Sequence, residues 1–213
     1  QRSHDAFNLF LLLLLLFFKM ISKPKYKICR RLGPVYEKCQ TQKFLLSEGR
    51  RGGSRGGPGK KPKALSEYGT QLIEKQKIRY SYGINERQLR NYINAGTKSH
   101  ASQATQNIFE MLEQRLDNVV YRLGLASTRT LARQMVAHGH ITLNGRKMRV
   151  PSAQVKVGNV IGIREGSKKS PLFQDLEKKL KTYSTPAWLA FDASRGEGKV
   201  TGKPKNIEGF INI

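Results

Sequence analysis

The sequence predicts an α+β fold, and three observations carry that expectation. Apolar residues recur at three-and-four spacing from Ile108 through Leu112, Leu116 and Val119 to Leu123, the stripe of an amphipathic helix. Asn144-Gly145 stands between runs that alternate apolar and polar residues, the signal of a tight antiparallel hairpin. Between Gly49 and Pro62 the chain is too rich in Gly and charge to pack a core. The folded part is therefore expected beyond it.

Residues 1–19 contain an apolar run, Phe7 to Phe18, broken by Asn8. It is shorter than the roughly 18 residues of a membrane span, and no A-x-A-like cleavage site follows. These residues read as a mis-assigned start ahead of Met20, with a targeting segment as the alternative; no membrane partner is expected. Residues 20–65 form a basic, Gly-rich extension whose acids are Glu37 and Glu48. Its charges are expected to order on phosphate.

Residues 66–98 read as helical. Leu72, Ile73 and Ile78 share one face of a helix ending at Gly83. Asn85 and Gln88 form a capping-box pair that opens the next helix, with Leu89, Tyr92 and Ile93 inside and Gly96 closing it. Arg87 and Arg90 stay outside.

Residues 99–170 carry the module that decides the functional reading. One helix is expected from about Ala104 to Leu123, ended by Gly124. Ser127 or Thr128 caps the following helix, whose Leu131, Met135 and Val136 face inward. Arg129 and Arg133 lie one turn apart on a second line, with Gln134 and His138 beside them. After Gly139, Ile141 and Leu143 alternate with His140 and Thr142; on the return, Met148 and Val150 oppose Lys147 and Arg149. A one-residue slip would bury those cations, so the register is well specified. Runs at Gln154–Val157 and Val160–Ile163 flank a Gly158-Asn159 turn. Residues 171–213 continue with a helix to Tyr183, its apolar side Leu172, Phe173, Leu176 and Leu180. Trp188 is read as a packing anchor, and Ile207 to Ile213 is apolar.

Lys and Arg number 39 against 15 Asp and Glu in 213 residues, a formal charge of +24. Such self-repulsion calls for a polyanionic partner, and nucleic acid is the commonest. Cys29 and Cys39 fit neither the count nor the spacing of a structural zinc site, and they are read as reduced thiols. No cofactor and no metal is expected.

The stretch from Met111 to Ile163 resembles the S-four type RNA-binding module. KYKICRRLG near the start, EKQKIRYSYGINERQLRNY, and PAWLAFD with GKV near the end resemble the bacterial-type small-subunit ribosomal protein S-four family. Coverage runs from about Pro24 to Pro204. The resemblance implies that residues 99–170 are a module inserted into a helical domain formed by residues 66–98 and 171–213. It also implies packing of 66–96 against the helix after Pro171.

The implied function is that of a structural constituent of the small ribosomal subunit, in the cytoplasm of a bacterium rather than an organelle. It would bind the ribosomal RNA first, nucleate assembly of the subunit body and contribute to translational accuracy. Neighbouring small-subunit ribosomal proteins, and messenger RNA where it enters the subunit, would be its other partners. Some relatives carry a four-cysteine zinc cluster near the N-terminus, which two cysteines cannot reproduce.

The expected module contacts with RNA are Arg115, Arg129, Arg133, His140, Arg146, Lys147 and Arg149, with Gln134, His138 and Asn144 as hydrogen-bonding companions. Lys25, Lys27, Arg30, Arg31, Arg50, Arg51 and Arg55 would thread between RNA helices, and Arg87 would add a contact from the helical unit.

Two catalytic families share the module. Gln114-Arg115-Leu116-Asp117 echoes the G-R-L-D of pseudouridine synthases, but it lies on the helix leading into the module, not on a catalytic domain beyond it, and too few residues follow Ile163 for that domain. His138-Gly139-His140-Ile141 has the letters of the H-I-G-H signature of tyrosyl-tRNA synthetases in the wrong order. No phosphate-binding G-x-x-x-x-G-K-[ST] loop is present. The chain is read as no enzyme, and Asp117 as a helix-surface partner for a nearby cation.

Overall fold

The computed structural model describes residues 26–35, 37–49, 64–99, 103–170, 173, 180, 183–192 and 196–205. It is α+β, and the chain divides into two compact units at Gly83 and Ile84. The expectations for residues 1–19, Lys25, Arg50, Arg51, Arg55 and the apolar end from Ile207 lie outside the described residues. Among the described residues no helix is long and apolar enough to cross a membrane.

The first unit contains α1 (Lys27–Leu32), a 3-10 turn (Glu37–Gln40), α2 (Gln42–Gly49) and α3 (Glu67–Ser81). Ser66 caps α3 by accepting the Gly69 N–H at 3.2 Å. Ile28, Leu32, Ile78 and Tyr82 are buried in this unit. Cys29 and Cys39 form a disulfide, which corrects the reading of them as free thiols. Gly33, at φ 83°, and Pro34 reverse the chain after α1. The reversal returns Cys39 to within 5.4 Å, Cα to Cα, of Cys29, inside the range a disulfide requires. A criterion based on chain size and compartment does not register that local turn.

The second unit begins with α4 (Glu86–Ser99), and the capping box forms as expected. Asn85 Oδ1 accepts the Gln88 N–H at 2.8 Å, and Gln88 Oε1 accepts the Asn85 N–H at 3.4 Å. Gly96 does not close this helix. It lies inside α4, where a Cβ would stand 2.5 Å from Ile108 Cγ1, so its role is close packing against α5 (Ala104–Glu113).

The single helix expected from Ala104 to Leu123 is two, α5 and α6 (Leu116–Arg122). Arg115 takes an extended backbone, φ −63° and ψ 136°, and bridges Gln154. The amides freed by the break donate elsewhere: Leu116 N–H to the Ala153 carbonyl at 2.9 Å, Asp117 N–H to Pro151 at 3.1 Å. Leu112, Leu116, Val119 and Leu123 are still all fully buried. The apolar stripe survives the break, so spacing alone could not reveal it. Thr128 caps α7 (Arg129–Ala137), accepting the Leu131 N–H at 3.1 Å.

The sheet is antiparallel, ordered β2-β1-β3-β5-β4, with β1 Ile141–Leu143, β2 Arg146–Lys147, β3 Val160–Ile163, β4 Leu189–Asp192 and β5 Glu197–Val200. Asn144 and Gly145, at φ 51° and 77°, make the expected β1–β2 turn. Because β2 ends at Lys147, Met148 is half-buried but Val150 is exposed, not inward as alternation suggested. Strands β4 and β5 come from the tail that the sequence left irregular. Gly198 lies in β5, where a Cβ would stand 2.5 Å from Leu123 Cδ1. Glycine at this position lets β5 pack closely on the Leu123 side chain at the end of α6.

The core joins α6, α7 and the sheet through Val120, Met135, Val136, Ile141, Ile161, Leu189 and Val200. Trp188 packs on it, as expected, and so do Phe173 and Leu180. Most residues of the helix expected over 171–183, and with them its expected packing on 66–96, lie outside the described residues.

Candidate nucleic-acid interface

Two groups of cations emerge from the second unit, and they differ in how their charge is met. On α6 and α7 the arginines are held by buried acids and amides. Asp117 accepts Arg115 Nε at 3.0 Å and Nη2 at 2.8 Å, and also Arg133 Nη2 at 2.7 Å. Asn118 Oδ1 accepts Arg129 Nε at 2.9 Å, while its Nδ2 donates to Glu113 Oε2 at 2.9 Å. Glu113 in turn accepts Arg122 Nε and Nη2, each at 2.9 Å. The Arg129 guanidinium also lies over the Tyr121 ring at 4.5 Å.

Arg115, at 2% exposure, is part of the interior and not a surface contact as first read. Its backbone is pinned by the 151–155 segment, so its side chain turns inward onto Asp117 and Tyr92 Oη, the latter at 2.9 Å. Burial opposes its charge, but the hydrogen bond and charge of Asp117, with help from Tyr92, outweigh burial and raise its pKa. Asp117 does partner a cation, but from the interior, at 3% exposure. Arg129 and Arg133 are half-buried, so they present a fixed edge of the guanidinium rather than a mobile charge.

The second group surrounds the turn at Gly139. His138 follows α7, His140 precedes β1, Lys147 ends β2, and Arg149 follows two residues later. Gly139 has φ 74°, and a Cβ on it would meet Lys147 Cε at 2.4 Å and Arg149 Nε at 3.3 Å. The turn therefore requires glycine, and both cationic stems lie across it. Arg164 closes the group, its backbone N–H donating to the His140 carbonyl at 2.8 Å. Among the described residues, none of Lys147, Arg149 and Arg164 has an ion pair. Arg149 and Arg164 depress the Lys147 pKa from its ordinary value.

The other expected contacts are dispersed. Gln134, His138 and Arg146 are exposed. Asn144 has its Oδ1 taken by the Val160 N–H at 2.8 Å, which fixes the hairpin. Arg87 is exposed on α4. In the first unit Lys27 and Arg31 are exposed, whereas Arg30 pairs with Glu48 and donates to Ser47 Oγ at 3.3 Å. Arg164 was absent from the sequence reading. Its signal was its place at the end of β3, opposite His140, which only the strand register shows.

An S4 domain model matches residues 114–161, and a ribosomal protein S4/S9 N-terminal domain model matches 21–113. The small ribosomal subunit protein uS4 of Acetivibrio thermocellus is 46% identical over 84% of this chain and 86% of its own. That of Herpetosiphon aurantiacus is 47% identical over 81% of this chain and 82% of its own. That of Streptococcus thermophilus is 46% identical over 87% and 88%. The chain belongs to the small ribosomal subunit protein uS4 family. As a uS4 family member it is a ribosomal protein and not an enzyme, and the echoes of two catalytic signatures are structural. Asp117 anchors arginines, and Gly139 shapes a turn. The S4 domain match begins at the break before α6 and stops short of Arg164.

Proposed function

We propose that this uS4 family member binds small-subunit ribosomal RNA directly and early, nucleates assembly of the subunit body and contributes to translational accuracy. The observation that carries this reading is the cationic surface of the hairpin. Lys147 and Arg149 stand exposed with their stems across the Gly139 turn, and neither has an ion pair among the described residues. Like charges held together without counter-charge cost stability in the free protein and are offset when a polyanion docks. A-form RNA offers its backbone and 2′-hydroxyls more readily than its deep major groove, so rigid cations suit recognition by shape. Arg129 and Arg133, held by Asn118 and Asp117, add donors whose direction is set before binding.

Lys27 and Arg31, with Lys25, Arg50, Arg51 and Arg55, extend the contact along the RNA. Neighbouring small-subunit proteins, and messenger RNA where it enters the subunit, are the further partners of this reading. The site of action is the ribosome of the bacterial cytoplasm. The test is sedimentation of the full chain with small subunits, before and after a mild salt wash. Stable co-migration through the wash is expected; loss of the protein to the top of the gradient would favour a free RNA chaperone instead.

A further inference from the structure

We infer that Arg164, with Lys147, Arg149 and His140 around the Gly139 turn, forms a pocket for one backbone phosphate of the bound RNA. The inference rests on the RNA-binding reading above and adds to it a residue and a proton. Arg164 and His140 stand opposite each other just beyond the Ile141–Ile163 register pair, so the sheet itself sets their spacing. The buried Ser167 hydroxyl joins them, accepting Arg164 Nε at 3.3 Å and lying 3.0 Å from His140 Nδ1.

The serine oxygen, already accepting from Arg164, can donate its proton to a neutral His140 Nδ1 or accept from a protonated one, so the contact holds the ring in either charge state. Phe173 packs edge-on against the ring at 6.3 Å between centroids and limits its rotation. The groups facing His140 are thus His138, Lys147, Arg164, Ser167 and Phe173. The nearby acid of α8 (Glu165–Lys168), Glu165, is taken by Lys168 at 2.6 Å.

Burial first, then His138, Arg164 and Lys147, depress the pKa of His140 below the ordinary 6.5. A phosphate seated among these groups reverses the electrostatic part, because an anion favours imidazolium. Binding then takes up a proton wherever His140 is neutral in the free protein and charged in the complex. Affinity gains as pH falls through the bound-state value, and the gain levels off below the free-state value. As pH rises through the bound-state value, the gain is lost.

The probe is purified small-subunit ribosomal RNA, titrated with the full chain by filter binding across salt at fixed pH, and across pH at fixed salt. Arg164→Gln is expected to weaken binding about tenfold, the loss of one charge-assisted contact. It should also flatten the slope of log K against log salt by about 0.9. Arg164→Lys should restore the slope. Affinity of the wild-type chain should rise from about pH 7.5 to about 5.5, and His140→Gln should remove its share of that rise.

Thermal melting of each free variant separates lost binding from lost folding. An Arg164→Gln chain that melts and binds RNA like the wild type, with the same salt slope, overturns the pocket and leaves the RNA-binding reading standing. An unchanged pH profile in His140→Gln overturns the proton coupling. If the wild-type chain fails to bind the RNA at every pH, both readings fall together.

Discussion

Asp117 accepts both the fully buried Arg115 and the half-buried Arg133, so two cations depend on one carboxylate. Removing it would leave the Arg115 charge in the interior with Tyr92 as its remaining partner. Breaking a buried pair from one side costs about 3–5 kcal/mol, far more than loss of an exposed pair. Asp117→Ala is therefore expected to lower the urea-unfolding free energy by about that amount. A change below about 1 kcal/mol would show that the pair contributes as little as a surface one. The same geometry alters what a single arginine reports. Part of Arg133 is already committed to Asp117, so Arg133→Ala should disturb folding and binding together, whereas Arg149→Ala acts on the exposed group.

At the scale of elements, the disulfide closes a short loop across α1 and the 3-10 turn, and α1 packs on α3. Such a cross-link contributes about 2–4 kcal/mol, chiefly by restricting the unfolded chain. Reduction should therefore lower amide-exchange protection in Lys27–Gln40 and in α3, while β1, β3 and β5 keep theirs. Equal loss of protection in the sheet would contradict the division into two units. Elements whose cause is local were legible in the sequence: the Asn85–Gln88 capping box, the Thr128 cap, and the Asn144-Gly145 turn all formed where their chemistry placed them. What stayed hidden depends on distant chain. The break at Arg115 exists because residues 151–155 take the freed amides, and β5 forms by pairing with β3 and β4 while Gly198 packs closely on Leu123. For the candidate interface, the exposure of Lys147 and Arg149 was legible from alternation. The burial of Arg115 and the placement of Arg164 beside His140 needed the tertiary pairing.

For the whole molecule, a formal charge of +24 makes ionic strength the dominant variable of any RNA complex. With roughly 6–10 phosphates neutralised, log K should fall against log salt with a slope near −0.9 per contact on the duplex-DNA calibration. Titration of the full chain with small-subunit ribosomal RNA over a range of KCl concentrations measures this directly. A slope shallower than about −2 would mean that few cations reach the backbone and would count against the electrostatic reading.

The strand order also bears on how the protein is made. Strand β3 pairs on one side with β1, which emerges before it, and on the other with β5, which ends at Val200. While the chain is still being synthesised, the hairpin is complete but the far side of β3 has an open ladder of backbone donors and acceptors. A nascent chain paused between Ile163 and Glu197 would carry that unpaired edge into a crowded milieu, and there it would be most exposed to misassociation with another copy.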